Sequence, residues 1–193
     1  MAPLLISNLV NIRYLSGVEM TAGVMLVHAK KKILFIDDRY TEKAKKEKKR
    51  GIQIQHIKDL GKYIKRFKRV RFESDDLTVA RLLRWKKRFR GTKLMSSENV
   101  IEEMRREKTK YEIDAIKKAC HITDKVLKMI PRKLKTGITE RELAWEIERL
   151  SRELGAEALS FETIVGFGEH TARPHHTPTN KKLKKHDIVQ IDM

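Results

Sequence analysis

The sequence predicts an α/β domain over residues 1–104, followed by an α+β unit over 105–193. Three observations carry this. Two adjacent apolar stretches, 23–28 and 32–37, read as a β-hairpin. Short β-rich and charged helical segments alternate after it. Beyond residue 104 the pattern changes to two long stretches of helical period and then two strand-like segments. The 193 residues suffice for one large domain or two small ones, each with its own core. With 40% hydrophobic and 36% charged residues, the composition is that of a folded, highly ionised globular protein rather than a disordered one.

The hairpin turn is Ala29-Lys30-Lys31, and its second strand contains Ile33-Leu34-Phe35-Ile36. Thr41 to Arg50 reads as a charged helix ended by Gly51. The alternation in Ile52-Gln53-Ile54-Gln55 then implies a strand with one buried face, and Val70 to Glu73 a further short strand. Leu77 to Phe89 is predicted helical, with Val79, Leu82, Leu83 and Phe89 close to one face. In the second unit, Ile113, Ile116, Ala119, Ile122, Val126 and Ile130 recur at three- and four-residue spacing, and Pro131 closes that helix. Thr139 and Glu142 form a capping box for the next helix, whose core stripe is Leu143, Ile147, Leu150 and Leu154, with Gly155 past its end. Phe161 to Val165 and Asp187 to Met193 read as strands.

Composition also limits function. Cys120 is the sole cysteine, which excludes an internal disulfide and a cysteine-based metal cluster; its helix-periodic setting predicts a buried core position. No apolar run approaches the roughly 20 residues of a membrane span, and residues 1–11 lack a signal-peptide pattern, so a cytoplasmic location and no membrane partner are expected. The formal charge of +18 is concentrated in Thr41 to Val70, where twelve Lys/Arg face three acids. Such a surface attracts phosphate backbones, but is also what a solvated, lysine-rich face looks like. No aromatic residues interleave with the charges in a stacking pattern and no zinc-finger spacing occurs.

Two places can carry chemistry. In the last strand Val189, Ile191 and Met193 share one face while Ile188, Gln190 and Asp192 share the other. A carboxylate there is paired, solvated or metal-bound, because an isolated buried charge is costly. Upstream, His170, His175 and His176 lie in one connection flanked by Gly166 and Gly168. Three such histidines can bind metal, donate to a substrate carbonyl or face solvent. No HExxH motif, G-x-S-x-G elbow or phosphate-binding glycine loop accompanies them.

Asn11-Ile12-Arg13-Tyr14-Leu15-Ser16-Gly17, followed by Phe35-Ile36-Asp37-Asp38-Arg39-Tyr40, resembles the amino-terminal domain of the creatinase, prolidase and aminopeptidase P family of Xaa-Pro peptidases. Arg105 through Ala119, with Lys108 and Glu112-Ile113, resembles the first helix of that family's catalytic domain. The third block is Ser160 to Gly168, then Pro174-His175, then Asp187-Ile188-Val189-Gln190-Ile191-Asp192; it resembles the family's first catalytic strand pair. The resemblance implies a creatinase-like α/β amino-terminal domain followed by the first part of an α+β pita-bread catalytic domain.

It also implies a metal-dependent Xaa-Pro dipeptidase or aminopeptidase that hydrolyses peptide bonds preceding proline. His175 matches the catalytic, substrate-binding histidine, and Asp192 the first aspartate ligand of a centre of two divalent ions, manganese, cobalt or zinc. His170 and His176 match no assigned position and are read as neighbours or secondary substrate contacts. In the family a glycine and a second aspartate follow, and much later a histidine and two glutamates; none occurs here. The chain is therefore expected to be a fragment that holds no stable metal and is inactive alone. Proline-containing peptides are the expected substrates, and a homodimer or a complementary chain half the expected assembly. The alternative is a non-catalytic pita-bread-derived module that binds nucleic acid or a ribosome through its basic surface.

Overall fold

The structure, a computed structural model, describes residues 2–193 and divides into two compact units, Met1–Glu107 and Lys108–Met193. The first unit is built on a six-stranded mixed sheet. Its strands are β1 (Leu4–Ile6), β2 (Val24–His28), β3 (Lys31–Ile36), β4 (Ile52–His56), β5 (Arg69–Glu73) and β6 (Lys93–Ser97), in the spatial order β4-β3-β2-β1-β5-β6. The β1–β2 and β2–β3 pairs are antiparallel, and the remaining three pairs are parallel. The predicted hairpin is β2–β3, with Ala29 in the turn at φ 50°.

Strand parity sorts the apolar side chains into two cores, because successive residues point to opposite faces. Leu4, Ile6, Met25, Leu34 and Ile36 pack with Ile12 and Leu15 of α1 (Leu9–Ser16), Ala44 of α2 (Asp38–Glu47) and Ile101 of α5 (Val100–Arg106). Leu5, Leu26, Ile33 and Phe35 pack on the other face with Leu60 and Ile64 of α3 (Leu60–Ile64), Trp85 of α4 (Val79–Arg88) and the adjoining Phe89. Sheet strands so covered on both faces read as near-continuous apolar runs.

The buried face of α4 differs from the expected one. Trp85 and Phe89 are buried and Leu82 packs beside them, whereas Val79 and Leu83 are exposed. The bulky aromatic pair, with ring centroids 6.0 Å apart, sets the helix rotation in preference to the branched residues. At the end of β5, Glu73 is buried and accepts from the Ser7 amide (2.8 Å), the Asn8 amide (3.0 Å) and Asn11 Nδ2 (2.7 Å). It joins β5 to the start of α1.

The second unit consists of α6 (Lys110–Met129), α7 (Glu140–Glu153) and a two-stranded antiparallel sheet of β7 (Ile164–Phe167) and β8 (Val189–Asp192). Thr109 and Glu112 form a capping box at α6, and Thr139 and Glu142 form the predicted one at α7. Both strands are shorter than predicted: β7 begins at Ile164 rather than Phe161, and β8 at Val189 rather than Asp187. The core comprises Val126, Ile130, Leu143, Ile147, Leu150, Val165, Phe167 and Leu183.

Only the carboxy-terminal part of α6 enters this core. Ile113, Ile116 and Cys120 are exposed, which corrects the expectation of a buried Cys120. At 1.5 Å rise per residue a 20-residue helix is about 30 Å long, too long for the short α7 and two-stranded sheet to cover. The periodicity is real; its partner surface is absent among the described residues of this unit.

Candidate active site

Two anchors position the connection between β7 and β8. The first is a 3₁₀ turn over Gly168–Ala172 that folds back on β7. A Cβ at Gly166 would stand 3.2 Å from the carbonyl atoms of His170, a tight approach that favours glycine. In the second, residues 179–183 run along the lead into α7: Glu140 N–H donates to the Lys181 carbonyl (3.1 Å), Leu183 N–H to Ile138 (2.8 Å) and Gly137 N–H to Leu183 (2.9 Å). Residues 173–178 span the gap between the anchors and contain His175.

The ladder places Ile164 opposite Asp192 and Val165 opposite Ile191. Val189, Ile191 and Met193 face the core, as the alternation predicts, so Asp192 faces away from it. His175 and Asp192 then line one open cavity of about 490 Å³, together with Phe161, Glu162, Thr163, Ile164 and His176. Both side chains are exposed, and neither makes a hydrogen bond or ion pair among the described residues. Close by, the buried Thr163 Oγ1 and Gln190 Oε1 have no hydrogen-bond partner. Buried polar oxygens without partners are uncommon; of these two, Thr163 lines the cavity together with the carboxylate residues Glu162 and Asp192, and oxygen donors are the type that divalent cations take.

The other two histidines do something different. Glu140, fully buried at the first position of α7, accepts on Oε1 from the Phe167 amide (2.9 Å) and faces His170 Nδ1 (2.7 Å). Its Oε2 faces His176 Nε2 (2.9 Å) and accepts from the Thr179 amide (2.9 Å) and Thr179 Oγ1 (2.6 Å). Burial pushes the carboxyl pKa up, but these donors outweigh it and hold the group down at about 2. Sequence reasoning did not single out Glu140, since an acid in the first turn of a helix is ordinary. The available signal was its position three residues before Leu143 and seven before Ile147, a charge on the apolar stripe.

The second unit thus presents a carboxylate, Asp192, and an imidazole, His175, at one cavity. Residues 2–106 match the creatinase/prolidase N-terminal domain and residues 114–193 match metallopeptidase family M24. The chain belongs to this creatinase/prolidase family of metallopeptidases. It is 31% identical over 191 residues to an uncharacterized peptidase of Staphylococcus epidermidis, covering 95% of this chain and 54% of the relative. An Xaa-Pro dipeptidase of Pyrococcus furiosus is 29% identical over 186 residues, 95% of this chain and 53% of its own length. Among solved structures, the Xaa-Pro dipeptidase from Bacillus anthracis superposes with a TM-score of 0.91 at 29% identity, over 98% of this chain and 55% of that one. The prolidase from Pyrococcus horikoshii does so with 0.89 at 29% identity, over 100% and 56%. The chain thus spans about half the length of the curated relatives it matches. No helix among the described residues is long and apolar enough to cross a membrane.

Proposed function

We propose that this chain contributes to a peptidase that cleaves the bond preceding proline, as a dipeptidase or an aminopeptidase, with Asp192 a ligand of a divalent-metal pair and His175 a donor to the substrate carbonyl. The observation that carries this reading is the shared cavity: two residues 17 positions apart in the chain line one open space and neither has a structural task. The cavity volume, about 490 Å³, is in the range of small-ligand sites and suits a short proline-containing peptide. When bound, divalent ions supply hydroxide at neutral pH and polarise the scissile carbonyl, which matters for a bond whose proline nitrogen bears no hydrogen. His175 donates a hydrogen bond to the oxygen on which negative charge develops. Asp192 offers hard oxygen donors, which together with imidazole suit manganese, cobalt or zinc. One ligating carboxylate does not hold a metal pair, so residues 1–193 by themselves are expected to release no proline from Xaa-Pro dipeptides. Assembly with a second copy or with a complementary polypeptide is supported by the apolar side chains of Ile116, Trp145 and Ile188, all exposed.

The test has two parts. Mn²⁺ added to this chain should broaden the NMR signals of Thr163, Ile164, His175 and Met193, and Asp192→Asn should remove the effect. Broadening elsewhere only would refute the metal assignment. In a polypeptide of the relatives' length, His175→Ala should lower kcat for Ala-Pro dipeptides by about 100- to 1000-fold, the scale of losing one oxyanion donor. Cleavage of Ala-Ala as fast as Ala-Pro would refute the specificity.

A further inference from the structure

Glu140, His170 and His176 bring three potential ligand atoms within 4.8 Å of one another, which raises the possibility of a cation site. The hydrogen bonds argue otherwise. A carboxylate has about four lone-pair positions, and Glu140 already meets five donor groups: two amides, one hydroxyl and two imidazoles. The cluster is saturated. A carboxyl held at about 2 is also ionised at neutral pH and has no proton to give. Each ring nitrogen facing it must therefore carry the hydrogen: Nδ1 in His170 and Nε2 in His176.

The two imidazoles lie against each other, ring centroids 4.4 Å apart, and both are nearly out of solvent. They stand at the two ends of a seven-residue stretch, with His175 immediately before the second. His176 itself lines the His175–Asp192 cavity. We propose that Glu140 is a positioning residue: as the common acceptor of His170 and His176 it fixes both rings in single tautomers and clamps the stretch between them, holding His175 at the cavity that Asp192 borders. The clamp itself stands on the geometry, whereas its bearing on catalysis rests on the proposed function of His175. A carboxylate that orients an imidazole in this way is a familiar way to fix ring geometry.

The experiment is long-range ¹H–¹⁵N NMR of the 193-residue chain with labelled histidine, together with backbone relaxation. In the unsubstituted chain, His170 Nδ1 and His176 Nε2 should both appear as protonated nitrogens. Glu140→Gln replaces one acceptor oxygen by an NH₂ donor, so the ring facing it should switch tautomer. The order parameter at His175 should then fall from about 0.85 to below about 0.6, the rigid and flexible ranges. Glu153→Gln, at an exposed ion pair near the end of α7, should change neither. Unswitched tautomers would overturn the acceptor role, and a switch with an unchanged order parameter would overturn the positioning role. Should Glu140→Gln not fold, His176→Gln keeps a donor to Glu140 and should preserve order at His175, whereas His176→Leu should lose it; equal behaviour of the two overturns the clamp. No metal or peptide enters these measurements, so their failure leaves the proposed peptidase reading intact, and failure of the Mn²⁺ titration leaves the clamp intact.

Discussion

Each unit buries one glutamate, and the two are held in opposite ways. Glu73 accepts from two backbone amides and Asn11, and Glu102 adds a like charge nearby; burial dominates and keeps its carboxyl above the ordinary range. Glu140 meets two amides, a hydroxyl and two imidazoles, and its carboxyl lies near 2. Both are nearly inaccessible to water. The direction of each shift therefore follows from how far the donors offset the cost of burial, which they fail to do at Glu73 and exceed at Glu140. In the first unit the carboxylate ties a strand to a helix start. In the second it ties the helix start to the segment that carries His175.

The largest effect should come from Glu140→Ala, which strands two imidazoles and two backbone amides without their acceptor. A loss of about 3–5 kcal/mol is expected, the scale for breaking a buried charged pair, read as the urea midpoint of α7 amide signals. A loss below about 1 kcal/mol would mean that solvent replaces the carboxylate and the site is less closed than it looks.

Acid should separate the two glutamates by sign. The folded pKa of Glu140 is depressed from 4.5 to about 2, so its stabilisation is present above about 4.5 and is lost as pH falls towards 2. The shift corresponds to about 3 kcal/mol, and Glu140→Gln should flatten that limb of the pH–stability curve for the second unit. The folded pKa of Glu73 is raised, so its contribution runs the other way, favouring the folded first unit as pH falls from the raised pKa towards the ordinary one. Unfolding of each unit followed between pH 6 and 2 by its own amide signals checks both slopes; parallel slopes would break the comparison.

Smaller effects follow at the edges. Thr139→Ala removes one half of the capping box that sets the first turn of α7, and with it the register of Glu140; about 1 kcal/mol is expected in thermal unfolding. Asp192→Asn and His175→Ala, at side chains that carry no structural contact, should each change stability by no more than about 0.5 kcal/mol while removing the Mn²⁺ response or the proposed donor to the substrate. A large destabilisation by either would show that the cavity residues have structural work after all.

Much of this was readable along the chain. The hairpin, the Thr139–Glu142 box and the inward face of β8 are local patterns, because strand alternation and helix capping depend on residues a few positions apart; the candidate pair His175 and Asp192 came from the family resemblance and not from spacing. Three features were misread or missed where a distant partner decides. Strand β1 has three residues and no periodicity to display, yet lies inside the sheet between β2 and β5. The apolar stripe of α6 starts at Ile113 with nothing of its own unit over it, which leaves Cys120 exposed. The rotation of α4 follows Trp85 and Phe89 rather than Val79 and Leu83.

The sequence by itself determined the secondary structure in outline and the family resemblance, and through that resemblance it nominated His175 and Asp192 as the proposed site residues. Only the tertiary structure decided that His170 and His176 face inward to Glu140 while His175 faces the cavity. Three histidines in seven residues of irregular chain have no period that could assign their directions. What separates them is a buried carboxylate 30 and 36 positions upstream in the chain, whose demand for donors is satisfied only once α7 packs against β7.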